Sequence, residues 1–228
     1  MARLEFDGAA KGGVEKVAVD IDDLVIAGWT GRDVAALNHH IEELKAIGVQ
    51  PPSKVPLYYR VAAQMLTQAD TIQVLGDDSS GEVEPVLIGT PERLWVTIGA
   101  DHTDRKVETY NITVSKQMCD KPVAPVLWDL AEIEGHWDQI ILRSWATIEG
   151  ERVLYQEGTL SGMLPVADLI RRGFGTAALP DGCAMFCGTF AAKGGIRPAA
   201  RFDYEIQDPV LKRSISHGYD IVTLPVLG

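Results

Sequence analysis

The sequence predicts an α+β fold that is rich in strands, a mixed β-roll or sandwich with short helices at its periphery. Short apolar runs that stop at glycines or turn residues recur along the chain, as expected of buried strands. Only two segments repeat apolar residues at three- and four-residue steps, which indicates few helices. The chain contains no internal repeat.

The N-terminal part predicts two strands followed by a helix. The β-like runs cover residues 3–6 and 17–27, with a Gly-rich turn between them. Residues 33–47 have the apolar spacing of a helix, and Gly48 is a typical helix stop. This helix carries two histidines and two glutamates in its middle, which makes it a candidate for more than a structural role.

The polar loop at residues 77–81 marks a predicted boundary. We expect an N-terminal subdomain over residues 1–78 and a main domain over residues 79–228. In the main domain we expect a helix over 164–172, a hairpin formed by 140–148 and 153–156, and strands over 86–88, 94–98, 108–114, 183–187, 201–206 and 217–223.

The composition limits the classes of partner. A net charge of −11 argues against nucleic acid and against an anionic membrane, since both attract basic patches. No apolar run reaches the length of a transmembrane helix. Three cysteines are too few, and odd in number, for a disulfide framework, which suggests a reducing compartment. We therefore expect a soluble, cytoplasmic protein.

Three carboxylates stand at the ends of the first two strands of the main domain. Glu82 and Glu84 are two residues apart, so in an extended chain both point to one face. Asp101 follows the second strand directly. Oxygen ligands of this kind suit Mg²⁺ or Mn²⁺ and leave positions open for substrate. The alternative is that these residues form a solvated acidic surface in a chain with 32 acidic residues.

The helix over residues 33–47 offers two histidine–glutamate pairs. His40 and Glu43 are three residues apart and lie on one helix face, so the carboxylate could orient the imidazole as a general base. His39 and Glu42 have the same spacing, rotated by about 100° around the helix. Only one pair can face a site, and a solvated helix face is the alternative to both.

Five short segments follow one another in an order that resembles the fumarylacetoacetate hydrolase superfamily. They correspond to its E-x-E-x-x-x-I-G strand, its N-D-V-S-A-R segment, its K-x-x-D-x-x-x-P-x-G-P segment, its N-G-E hairpin with an S-x-M run, and its L-x-P-G-D-x-I-x-T-G-T strand. The matching residues are Glu82 to Gly89, Asp101 to Arg105, Lys116 with Pro122 and Pro125, Glu149 to Met163, and Leu179 to Thr189. Residues 188–195 depart from the family pattern, which leaves the substrate open.

The resemblance implies a role for each candidate residue. Glu82, Glu84 and Asp101 would hold Mg²⁺, or Mn²⁺ or Ca²⁺ in its place. Lys116 would stabilise an enolate formed on the metal, unless it is a surface lysine. Arg105, Gly188 and Thr189 would bind the substrate. His40 with Glu43 would act as general base, and this pair is preferred because an apolar residue follows Glu43, as one follows the glutamate of the family. For Arg105 an ion pair with Asp104 or Glu108 is the alternative.

Three functions fit this set of residues. The first is a metal-dependent hydrolase that cleaves a C–C bond next to a keto group in a 2-oxo acid or acylpyruvate. The second is a 2-oxo acid decarboxylase, hydratase or enol–keto isomerase with the same metal site. The third is a non-catalytic binding protein. The resemblance also implies a homodimer, and apolar residues such as Ile221 to Leu224 are candidates for its interface.

Overall fold

A computed structural model describes residues 1–46 and 51–227, without the side chains of His40, Glu43, Leu44 and Ala46. The strands are β1 (Ala2–Ala10), β2 (Gly13–Ile21), β3 (Asp23–Gly28), β4 (Leu57–Val61), β5 (Leu66–Thr67), β6 (Thr71–Leu75), β7 (Ser79–Ser80), β8 (Val83–Gly89), β9 (Leu94–Ala100), β10 (Thr103–Asp104), β11 (Lys121–Pro122), β12 (Val126–Asp129), β13 (Ile141–Ile148), β14 (Glu151–Thr159), β15 (Cys183–Phe186), β16 (Arg201–Asp208) and β17 (Arg213–Leu224). The helices are α1 (Val34–Ala46), α2 (Arg105–Glu108), α3 (Ile112–Gln117), α4 (Leu130–Ile133) and α5 (Val166–Phe174), with 3₁₀ turns at Ala63–Met65, Glu134–Gln139 and Leu160–Gly162.

Two sheets form the body of the molecule. The larger has eight strands in the order β2-β1-β12-β9-β8-β15-β3-β4, and the smaller has five in the order β14-β13-β16-β17-β6. Two short pairs, β10 with β7 and β11 with β5, lie outside them. The strand-rich α+β class predicted from the sequence is confirmed.

The core lies on both faces of the eight-stranded sheet. One apolar cluster fills the space between the two sheets and includes Leu87 of β8 and Phe202 of β16. A second cluster covers the opposite face and includes Val86 and Ile88 of β8. Successive residues of β8 therefore pack on opposite sides, and every residue of the strand is buried. This buried central strand carries Glu84.

The predicted strand over residues 108–114 is wrong. That segment forms α2 and α3, which are separated by a short turn. The carboxylate of Asp104 accepts a hydrogen bond from the backbone N–H of Val107, and the side chain of Asn111 accepts one from the N–H of Val114. These two caps satisfy N–H groups that a helix start leaves unpaired, and they favour helix over strand.

Most other predicted elements are found, with shifted ends, but the single strand predicted over residues 17–27 is two strands, the end of β2 and β3. The N-terminal hairpin is longer than predicted, because β1 and β2 run up to a tight turn at residues 11–12. The predicted hairpin of the main domain corresponds to β13 and β14, and the predicted helices correspond to α1 and α5. Strands from residues 1–78 and from 79–228 lie side by side in both sheets, and the division between these segments stays a prediction.

No helix among residues 1–46 and 51–227 is both long enough and apolar enough to cross a membrane.

Candidate metal centre

The β8–β9 hairpin brings the three predicted carboxylates together. Glu84 of β8 lies opposite Gly99 of β9 in the antiparallel pairing. One step beyond the strands, the N–H of Asp101 donates to the carbonyl of Glu82 at 2.9 Å, which continues the ladder. Glu82 and Asp101 therefore face each other, on the same side as Glu84. One oxygen of each carboxylate lies within 4.8 Å of the others.

This cluster is not a solvated surface. Asp101 is fully buried, Glu84 is 2% exposed, and the side chain of Glu82 reaches solvent with 22% of its surface. Burial raises the pKa of Glu84 well above its usual value, and the charges of Asp101 and Glu82 raise it further. Buried oxygen donors that repel one another at this spacing suit a hard divalent cation. The triad can therefore hold Mg²⁺ or a related ion.

Lys116 projects from α3 into the same cluster. Its ammonium group donates a hydrogen bond to the carboxylate of Asp101 and lies 3.8 Å from Glu82 Oε2. Burial lowers the pKa of Lys116, but the carboxylates of Asp101 and Glu82 outweigh it and the pKa is raised. Lys116 is 6% exposed, so the alternative of a surface lysine is wrong.

Arg105 lies at the more open side of the centre. Its Nη1 donates to Glu108 at 3.0 Å, its Nη2 lies 3.2 Å from Glu82 Oε1, and its Nε donates to Ser80 Oγ at 2.7 Å. The predicted alternative of a structural ion pair with Glu108 is thus present in the structure. Whether Arg105 also binds substrate stays a prediction.

Gly188 and Thr189 hold the strand that carries Glu84. The N–H of Gly188 donates to Glu84 Oε2 at 2.7 Å. The hydroxyl of Thr189 donates to the carbonyl of Val83 at 2.7 Å and accepts from Gln156 Nε2 at 2.8 Å. Their predicted contact with a substrate carboxylate stays a prediction, but the geometry places both beside the centre.

The predicted histidine base falls on α1. The backbones of His40 and Glu43 belong to α1, and their side chains lie outside the described residues. In the alternative pair, His39 and Glu42 are both exposed, and Glu42 accepts from Lys45 Nζ at 3.4 Å. The choice of pair stays a prediction.

Two buried residues next to the centre were missed by the sequence reasoning. His102 follows Asp101 directly, with its ring nitrogens 2.8 Å from the Tyr219 hydroxyl and 2.9 Å from Ser79 Oγ. Burial, with the charges of Lys121 and Arg105, lowers the pKa of His102 to about 3, so the ring is neutral.

Lys121 is the second missed residue, and it is fully buried. Its ammonium group lies 3.5 Å from Asp101 Oδ1. Burial alone would raise the pKa of Asp101, but Lys116 and Lys121 lower it, so this carboxylate is ionised. In the sequence, Lys121 is distinguished from other lysines only by the proline that follows it, and that position does not predict a buried side chain.

An aromatic pair lies behind Lys116. The ammonium nitrogen is 5.8 Å from the centre of the Tyr59 ring, a distance at which a cation and an aromatic ring attract each other. The Tyr59 hydroxyl accepts a hydrogen bond from Trp29 Nε1 at 3.1 Å. Tyr59 belongs to β4 and Trp29 follows β3 directly, so the N-terminal segment also contributes to the surroundings of the centre.

Fold and site together define a strand-rich protein with a buried carboxylate centre for a divalent cation. A family model described as "Protein of unknown function (DUF2848)" matches residues 27–219. This match covers most of the chain, which therefore belongs to the DUF2848 family. A search of curated proteins gave no match.

Several solved structures have a similar fold. Cg1458 has a TM-score of 0.65 and 18% identity, over 93% of this chain and 81% of that chain. A 2-keto-3-deoxy-D-arabinonate dehydratase complexed with magnesium and 2,5-dioxopentanoate has a TM-score of 0.65 and 14% identity, over 96% and 79% of the two chains. A 4-oxalocrotonate decarboxylase from Pseudomonas putida G7, complexed with calcium and acetate, has a TM-score of 0.51 and 16% identity, over 88% and 76%. At these identities the likeness establishes the fold.

Proposed function

We propose that this chain is a divergent member of the fumarylacetoacetate hydrolase superfamily, a metal-dependent enzyme that acts on a small 2-oxo acid. The observation that carries the proposal is the buried triad of Glu82, Glu84 and Asp101 with the ammonium group of Lys116 inside it. Cleavage of a C–C bond next to the keto group of an acylpyruvate is the first candidate reaction.

The second candidate keeps the centre but does not hydrolyse a C–C bond. Two similar folds belong to enzymes named as a dehydratase and a decarboxylase, and their structures hold magnesium and calcium. These names support a lyase, hydratase, decarboxylase or isomerase about as well as a hydrolase.

The side chains around the centre suggest a division of labour. A divalent cation on the triad would supply a Lewis acid for two adjacent substrate oxygens. Lys116 keeps its proton because its pKa is raised, and its charge stabilises negative charge that develops on a substrate oxygen. Arg105 at the open side, together with Gly188 and Thr189, would orient the substrate carboxylate.

The proposed dyad decides between the two candidates. Hydrolysis requires an activated water, and His40 oriented by Glu43 on α1 would provide the base. Decarboxylation of a bound 2-oxo acid requires no activated water and therefore no such base. In this scheme residues 1–78 carry the base and residues 79–228 carry the cation centre.

The cellular setting is part of the proposal. Cys119, Cys183 and Cys187 are free and buried, which supports a reducing compartment such as the cytoplasm. A net charge of −11 argues against nucleic acid as the partner, and the carboxylate substrate follows from the proposed chemistry of the centre. We also expect a homodimer with a separate centre in each subunit.

The test is an activity screen with saturating Mg²⁺ or Mn²⁺ on acylpyruvates and on oxaloacetate. A hydrolase should cleave the acylpyruvate, and His40→Ala should slow this cleavage by about 10²–10⁴ while oxaloacetate decarboxylation, if present, changes little. His39→Ala is the matched control, and sensitivity of this variant alone would move the base to the other helix face.

Two other results would change the proposal. Decarboxylation without acylpyruvate cleavage would establish the second candidate. Glu84→Ala should abolish both the turnover and the binding of the cation. If it leaves both unchanged, the metal-dependent function is wrong and a binding protein remains.

A further inference from the structure

Lys121 is a buried lysine that the proposed reaction does not use. It begins β11 and none of its surface is exposed. Its ammonium group donates to the carbonyls of His102 and Cys119 at 2.7 Å each, and to the carbonyl of Lys116. These three bonds use all three N–H groups of the ammonium.

The three carbonyls come from two segments that meet at the centre. The carbonyls of Lys116 and Cys119 lie at the C-terminal end of α3, where a helix leaves its last carbonyls unpaired. The carbonyl of His102 lies directly after Asp101, beyond the end of β9. One ammonium group therefore joins the segment that carries Lys116 to the segment that carries Asp101.

One carboxylate oxygen of Asp101 lies beside the positive charge of Lys121. Lys121 Nζ lies 3.5 Å from Asp101 Oδ1, whereas Lys116 donates to Asp101 Oδ2. Since the three N–H groups of Lys121 are used by carbonyls, its contact with Asp101 Oδ1 is ionic and is not a hydrogen bond. A buried ammonium group without a neighbouring negative charge is costly. Asp101 therefore stabilises the buried charge of Lys121, and Lys121 in turn holds Asp101 in place.

We propose that Lys121 is a positioning residue for the cation centre, an inference that rests on the proposed function. It fixes the end of α3 relative to Asp101, so that the ammonium group of Lys116 and the carboxylate of Asp101 face the same point. Lys121 itself touches neither cation nor substrate.

Three roles for Lys121 predict different effects on Mn²⁺ affinity when its charge is removed. A positioning residue orients Asp101, so its loss weakens the binding, and such supporting residues typically change metal affinity by about 10–100-fold. A lysine that acts only as a nearby positive charge would repel the cation, so its loss would strengthen the binding. A purely structural lysine would affect stability and leave the affinity of the folded protein unchanged.

The experiment measures Mn²⁺ binding by titration calorimetry, and thermal unfolding without metal, for wild type, Lys121→Met and Lys121→Gln. The matched control is Lys106→Met, because the side chain of Lys106 is 80% exposed and, among the described residues, its one ion pair is a long contact of 3.9 Å with Asp78. We expect about 10–100-fold weaker binding in Lys121→Met, a smaller loss in Lys121→Gln, which keeps one donor group, and no change in the control.

Unchanged or tighter Mn²⁺ binding by folded Lys121→Met would overturn the inference. Failure of both Lys121 variants to fold, with a folded control, would also overturn it in favour of a purely structural lysine. Glu84→Ala distinguishes a failure of the proposed function from a failure of the positioning role of Lys121. If wild type itself does not bind Mn²⁺, the proposed function fails, whereas binding that Glu84→Ala removes and Lys121→Met retains refutes only the positioning role.

Discussion

Lys116 is the residue on which the charge of the centre depends most directly. Its ammonium group is buried beside Asp101 and Glu82, two of the three carboxylates of the triad. A lysine in this position both compensates the carboxylates and competes with a divalent cation for them. Its effect on binding and its effect on turnover should therefore have opposite signs.

Lys116→Met tests this balance. Without the ammonium group the three carboxylates are less compensated, so Mn²⁺ should bind at least as tightly as in wild type. Turnover of the 2-oxo acid should fall by about 10²–10³, as when a preorganised electrostatic group is removed. Calorimetry and steady-state kinetics on the same preparation measure both. Clearly weaker Mn²⁺ binding, or unchanged turnover, would contradict the role given to Lys116.

His102 predicts a dependence of stability on pH. Its pKa is lowered to about 3 in the folded protein and is about 6.5 in an unfolded chain. Between these values the unfolded state binds one more proton than the folded state, so the His102 contribution to stability is lost as pH falls below about 6.5. The loss amounts to about 1.4 kcal/mol per pH unit.

The measurement is the free energy of unfolding in urea from pH 7 to pH 5 for wild type and His102→Gln. Glu84, with its raised pKa, acts in the opposite direction over part of this range, since its folded form holds a proton that the unfolded chain releases. The difference between the two proteins cancels Glu84 and isolates His102. The slope for His102→Gln should be lower by about 1.4 kcal/mol per pH unit, and equal slopes would mean that the ring is protonated in the fold.

At the scale of single elements, the loop after β15 supports the centre through a glycine. Gly188 has φ of +105°, and a Cβ atom there would lie 1.8 Å from Thr30 Oγ1. A side chain at this position would therefore both strain the backbone and displace the turn after β3. The bond from the Gly188 N–H to Glu84 would be lost with it.

Gly188→Ala should destabilise the fold by about 2–5 kcal/mol, from the left-handed backbone and from the steric overlap. Gly195→Ala is the matched control, because Gly195 also has a positive φ, of +82°, and no atom of the described residues lies within 4 Å of the added Cβ. The control should lose only about 1–2 kcal/mol. Urea unfolding measures both, and similar losses would show that the contact with Thr30 is not limiting.

The β8–β9 hairpin shows how far a sequence can predict a site. Glu82, Glu84 and Asp101 could be predicted because strand alternation and a short connection place them together by local rules. The residues that support the triad could not be predicted in the same way. Gly188 contacts Glu84 across a long distance in sequence, and Lys121 is held by backbone carbonyls, which no residue type reveals. The strand wrongly predicted over 108–114 failed for a local reason, since two side-chain caps favour helix over an extended conformation.

At the scale of the whole molecule, apolar residues are exposed where β17 pairs with β6. Leu224 lies opposite Leu75 in this parallel pair, and both are exposed, by 38% and 48%, as is Val222, by 43%. Apolar side chains that cluster at a sheet edge favour burial against another surface. A second copy of the chain is the occupant that the predicted homodimer requires.

Light scattering at micromolar concentration should therefore give the mass of a dimer. Leu224→Lys should shift the protein toward monomer, because a charge would be buried in the interface. Val14→Lys on β2, where Val14 is 71% exposed, is the control and should leave the mass unchanged. A monomer mass for wild type would exclude the dimer at that concentration.

The eight-stranded sheet also constrains how a newly made chain can fold. β15 lies between β3 and β8, although both are synthesised well before it. Until β15 leaves the ribosome, β3 and β8 each have one unpaired, largely apolar edge, and such edges are templates for wrong pairing between nascent chains. The same strand leads to Gly188, the donor to Glu84, so the cation centre is completed only when this late segment arrives. Protection of the nascent chain from aggregation and assembly of its functional site therefore depend on a single insertion event.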